Sequence, residues 1–112
     1  MKLLSTIAAL LLLFSSVIHS GDFVSGSTTC PSSGAARVSI TSYNLYQLTV
    51  SATLTNTGYI HLGSSTVTTS NGGVLTPGGS YNASKPSAGI NPATLYFACT
   101  VSADSISWIG SR

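Results

Sequence analysis

Few residues in this chain can do chemistry, and their types and spacing decide what chemistry is open to it. Its acids are Asp22 and Asp104, its histidines His19 and His61, and its thiols Cys30 and Cys99. His19 lies in an apolar N-terminal stretch, which leaves His61 alone in the body of the chain. One histidine and two remote carboxylates do not make the three or four protein ligands of a usual metal site. A serine nucleophile with His61 as base and Asp104 as its orienting acid is open by residue type, but no Gly-x-Ser-x-Gly elbow is present to expose such a serine. The two aspartates are equally unsuited as a glycosidase pair, since Asp22 sits in a leader-like segment. The sequence therefore assigns no catalytic residue, no metal ligand and no cofactor.

Three other features bear on function. Cys30 and Cys99 are 69 positions apart. In an exported protein such a pair is expected to form a disulfide, whereas a reducing cytosol would leave two free thiols. Asn82-Ala83-Ser84 is a glycosylation sequon, usable in a eukaryotic secretory pathway. The aromatics Tyr43, Tyr46, Tyr59, Tyr81, Tyr96 and Trp108 could form a sugar-stacking platform, although in a small β domain such side chains more often fill the core and pair across strands.

Charge narrows the partners. Only 5% of the 112 residues are charged, for a formal net charge of +2, and the four basic residues Lys2, Arg37, Lys85 and Arg112 are far apart. Nucleic-acid binding through a basic surface is not expected, because phosphate neutralisation needs clustered Lys and Arg. With 43% hydrophobic residues the chain is nonetheless apolar enough to fold.

The elements that must position these residues read as follows. Residues 1–20 carry Lys2, the apolar run Leu3 to Ile18 and a short polar end, the layout of a secretory signal peptide with cleavage expected at or shortly after Ser20. A membrane anchor is disfavoured by the shortness of the run, and an apolar arm packing onto a partner is the remaining alternative. Residues 21–36, rich in Gly, Ser and Thr, read as a flexible segment leading into the domain. Residues 37–112 read as the domain itself.

Within it, Arg37 to Thr41 alternates apolar and polar, and Leu45 to Thr55 does so more clearly, with Tyr46, Leu48, Val50, Ala52 and Leu54 on one face and Gln47, Thr49, Ser51, Thr53 and Thr55 on the other. Three short β-prone runs follow, Tyr59 to Leu62, Thr66 to Thr69, and Val74-Leu75, separated by Asn-Thr-Gly, Gly-Ser-Ser and Asn-Gly-Gly, with Pro-Gly-Gly closing a tight meander. Tyr81 to Pro92 reads as a loop, and Thr94 to Val101 and Ile106 to Ile109 as the closing strands. The fold expected is all-β: a small antiparallel β-sandwich or flattened barrel of short strands and tight turns. Its core is expected from Tyr46, Leu48, Val50, Leu54, Ile60, Leu62, Val67, Leu75, Leu95, Phe97 and Trp108.

The stretches Leu48 to Gly63, Ser65 to Ser80 and Leu95 to Ala98 carry a particular order of turns: Asn56-Thr57-Gly58, then Ser70-Asn71-Gly72, then Pro77-Gly78. This pattern, over roughly residues 47–109, resembles small accessory, decoration-like structural proteins of tailed bacteriophages. The resemblance implies a compact β-sandwich on a virion surface that packs against other virion proteins or against itself, with no catalytic residues. The signal-like leader, the cysteine pair and the exposed-looking Tyr81 to Pro92 loop support a second reading, a secreted β-sandwich module that binds a glycan or a cell-surface partner. Both readings put the protein on a virion or outside the cell, with contact to a membrane only through the leader.

Overall fold

The longest amphipathic run lies at the centre of the structure because its two faces meet different surroundings. In the computed structural model, which describes residues 22–112, Gln47–Ala52 (β3) turns Leu48, Val50 and Ala52 into the core and Gln47, Thr49 and Ser51 away from it. Around it lie β1 (Phe23–Thr29), β2 (Ala36–Arg37), β4 (Ile60–Gly63), β5 (Gly73–Leu75), β6 (Ser80–Ser84), β7 (Tyr96–Cys99) and β8 (Ser105–Ser111), with one 3-10 turn at Pro92–Thr94. They form two four-stranded antiparallel sheets, ordered β1-β8-β3-β6 and β2-β7-β4-β5. Both sheets keep open edges, so the architecture is a sandwich and not a flattened barrel. The apolar leader expected over residues 1–20 lies outside the described residues.

Between the sheets, Leu48, Val50, Ile106 and Trp108 from the first meet Ile60, Leu62, Leu75 and Phe97 from the second. Val38 and Leu45, outside any strand, are fully buried as well. Two expected core residues are not there: Tyr46 is exposed, and Leu54 is 79% exposed. The ladder ends at Ala52, which exchanges backbone hydrogen bonds with Gly78 and Gly79, and Asn56 N–H then closes a turn onto Thr53 O at 3.0 Å. The alternation in sequence outruns the strand, so Leu54 no longer follows the pleat. Leu95 is only partly buried, at the margin of the core.

Three element assignments change. Within the segment expected to be a flexible lead-in, Phe23–Thr29 is a strand that pairs along its whole length with β8. Residues 80–84 form a strand, so the expected loop begins only at Lys85-Pro86, where proline ends the ladder. Thr66–Thr69 is not a strand. There Asn71 Oδ1 accepts from Thr68 N–H at 2.8 Å and curls the segment into a loop. That loop covers β4 from outside: Val67 packs against Gly63 and Gly72, and Gly72 holds the positive φ of +81° that a side chain there would disfavour.

Cys30, just past β1, is joined by a disulfide to Cys99 at the end of β7, with their Cα atoms 6.1 Å apart. The bond ties one sheet to the other. On the chain-entropy account, closing so long a loop stabilises the fold by ~4 kcal/mol.

Candidate functional surface

The residues with chemical potential are occupied by structure. His61 is buried under the 64–72 loop, and its Nδ1 is 2.8 Å from the carbonyl oxygen of Asn71. A carbonyl oxygen only accepts, so Nδ1 carries the proton and His61 pins the loop. Asp104 is 6% exposed. Its Oδ1 accepts from Thr57 N–H at 3.0 Å and its Oδ2 from Gly58 N–H at 2.8 Å. The considered pairing of His61 with Asp104 is therefore not made: each is bonded to backbone elsewhere.

Asp104 belongs to a polar corner at the disulfide end of the sandwich. Asn56 Nδ2 donates to Ser105 O at 2.8 Å, and Ser105 N–H donates back to Asn56 Oδ1 at 2.9 Å. Cys30 N–H donates to Asp104 O at 2.7 Å, which links the corner to the end of β1. Gly58 fits here for lack of a side chain, since a Cβ would lie 2.7 Å from Val101 Cγ2. The Asn-Thr-Gly signal read as a turn is thus also a docking point for a buried carboxylate.

The aromatics do not assemble into a common platform. Trp108 faces the core, with its indole over Gly26, where a Cβ would lie 2.8 Å from Nε1. Tyr43 packs on Trp108 with ring centroids 5.9 Å apart, and Arg112 lies 5.5 Å over the Tyr43 ring. Arg37 Nε donates to the Tyr96 hydroxyl at 3.0 Å. Asn82 of the sequon sits on β6 and not on a loop. It is exposed, and its Oδ1 accepts from Thr49 Oγ1 at 2.7 Å. By strand alternation, Tyr81 points to the opposite side of the sheet from Asn82.

What remains is a surface. The registers of β1, β8, β3 and β6 set their outward residues in rows: Phe23, Ser111, Gln47 and Ser84; Ser25, Ile109, Thr49 and Asn82; Ser27, Ser107, Ser51 and Ser80. None of these positions carries a charge. Hydroxyls and amides dominate, and Phe23, 76% exposed, and Ile109, 49% exposed, are the apolar members. A shallow hollow of about 80 Å³ lies between Phe23, Gln47 and Ile109, and another of about 240 Å³ adjoins it between Gln47, Thr49 and Asn82. Sequence reasoning saw the polar face of β3 but not the neighbours that extend it. No family model, no curated protein and no solved structure matches the chain.

Proposed function

We propose that this is a non-enzymatic structural or accessory protein of a virion-type particle, acting by packing the outer face of the β1-β8-β3-β6 sheet against neighbouring proteins. The supporting observation is that four strands in register offer rows of hydroxyls and amides without a charge. Burying an unpaired charge is costly, whereas hydroxyls and amides lose little when a partner replaces their water hydrogen bonds. Phe23 and Ile109 add apolar area to such a contact. The order of Asn-Thr-Gly, Ser-Asn-Gly and Pro-Gly turns, similar to that of phage accessory proteins, supports the same reading. The Cys30–Cys99 disulfide suits an oxidising setting, on a virion or outside the cell.

The test begins with gene neighbourhood, which supplies the capsid, portal or tail proteins to purify. Binding to one of them is expected, and it should be lost in Thr49→Lys, which sets an ammonium in the middle of the face. No binding to any neighbouring particle protein would overturn the proposal.

The hollow beside Phe23 favours a second reading, a secreted module that binds a neutral glycan. An exposed aromatic ring that shares its hollow with the Gln47 amide offers both stacking and hydrogen bonding to a sugar. Glycan-array binding abolished by Phe23→Ala or Gln47→Ala, with the fold intact, would put this reading in place of the first.

A further inference from the structure

The four sheet edges differ in how they are protected. β2 is two residues long and β5 three, too short to template another strand. β6 runs into Lys85-Pro86, a cation and a residue with no N–H to offer. β1, Phe-Val-Ser-Gly-Ser-Thr-Thr, has seven residues and neither charge nor proline. It lacks the devices by which natural edge strands discourage pairing.

The hydrogen-bond pattern shows which groups this edge presents. Asp22 N–H donates to Arg112 O at 3.0 Å and Arg112 N–H donates to Asp22 O at 2.9 Å, so residues 22 and 112 form a hydrogen-bonded pair. Antiparallel pairs alternate, so Val24, Gly26 and Thr28 also bond to β8. The N–H and C=O groups of Phe23, Ser25, Ser27 and Thr29 then point out of the sheet edge, and among the described residues they have no partner.

We propose that the free edge of β1 pairs antiparallel with β1 of a second copy, joining the two β1-β8-β3-β6 sheets into one continuous eight-stranded sheet. The proposal rests on the packing reading above and names its first partner. A two-fold axis through Gly26 sets Ser25 opposite Ser27 of the second copy and Phe23 opposite its Thr29. All four are residues whose backbone groups face outward, so the register uses every free donor and acceptor on the edge. No charge meets a like charge along the seam, and on the outer face Phe23 lies beside the Thr29 methyl of the second copy. On the inner side Gly26 meets its own copy at the axis, where the absence of a side chain already lets the Trp108 indole approach. The joined sheet doubles the uncharged outer face.

The test is the association state of the disulfide-intact protein, purified from an exporting host and followed by sedimentation against concentration. Ser25→Pro removes an outward N–H while sparing the β1–β8 ladder, because proline is tolerated where an edge N–H faces solvent. The double variant Ser25→Lys, Ser27→Lys keeps the backbone and sets lysines against each other across the seam. A dimer weakened at least ~10-fold by both variants, with the Ser25 and Ser27 amides protected from exchange only in the dimer, is the expected result. Asn82→Lys, at the far edge, should leave the dimer intact while weakening contacts made by the outer face. A protein that stays monomeric up to about 1 mM, or a dimer indifferent to both β1 variants, would overturn the proposal. The packing reading is judged separately, by binding of Thr49→Lys to particle proteins.

Discussion

Replacing Asp104 by Asn is the most informative single change, because it alters one atom in a corner where each partner is known. The carboxylate accepts two backbone N–H groups, one on each oxygen, from Thr57 and Gly58. In Asn one oxygen becomes an NH₂, which faces a backbone N–H as donor against donor whichever way the amide is turned. One N–H loses its partner, that of exposed Thr57 or of buried Gly58, at a cost of about 1–3 kcal/mol with the exposed one at the low end, and the bond that survives falls from charge-assisted to neutral, about 1 kcal/mol more. The total of roughly 2–4 kcal/mol is a large part of the 5–15 kcal/mol that typically holds a domain together. For a domain this small it lowers Tm by about 8–30 °C. Urea unfolding followed by the fluorescence of Trp108, with the disulfide intact, measures the loss directly. Asp22→Asn is the matched control: it removes the same charge from an exposed position and is expected to stay within ~0.5 kcal/mol of the parent. If Asp104→Asn also stays within that margin, the carboxylate does not organise the 56–58 turn and the account of the corner is wrong.

Other expectations follow from the same contacts. Cys99→Ser, compared with the oxidised parent in urea, should lose ~4 kcal/mol, and a loss below about 1 kcal/mol would mean that the cross-link between sheets is idle. Gly110→Ala places a Cβ 2.5 Å from Leu45 Cδ1 and 2.9 Å from Gln47 O, whereas Gly73→Ala meets nothing within 4 Å. The first should therefore destabilise by about 1–3 kcal/mol in thermal melts, and the second should be neutral or slightly stabilising. His61→Phe keeps an aromatic ring under the 64–72 loop but removes the donor to Asn71 O. Faster amide exchange over residues 66–71, with β3 and β8 unchanged, is the expected signature, and uniform exchange across the chain would refute the pinning role.

Sequence reveals a strand best where one face is buried and the other is wet, and β3 is such a strand. Leu48, Val50 and Ala52 could be assigned to the core from spacing alone. The alternation carries no stop signal of its own, and the strand ends at Ala52 because the turn closed by Asn56 N–H on Thr53 O takes Leu54 out of the pleat. β1 and β6 were illegible for a different reason. Val24, Gly26 and Thr28 are the inward residues of β1, and the middle one is a glycine because Trp108 occupies the space a side chain would take. Such a strand has little hydrophobic signal, and it exists because β8 pairs with it. The Thr66–Thr69 run errs the other way. It has β propensity, but the Asn71 side chain bonds its backbone before another strand can.

The surface illustrates a sharper limit. From the sequence, Gln47, Thr49 and Ser51 are the polar side of one strand, which any amphipathic strand in water would show. They become part of a flat neutral array because β8 sets Ser111, Ile109 and Ser107 beside them, and β1 sets Phe23, Ser25 and Ser27 beyond. Those neighbours lie at the two ends of the chain, and nothing local specifies their register. The register follows from the buried side of the same strands: a one-residue slip of β8 would turn Ile106 and Trp108 outward and Ser107 into the core. The residues that fix the candidate surface are therefore the apolar ones on its hidden side. Enlarging Gly26 or Gly110, each closed in by the core side of the sheet, should disturb the array as much as replacing a hydroxyl on its face.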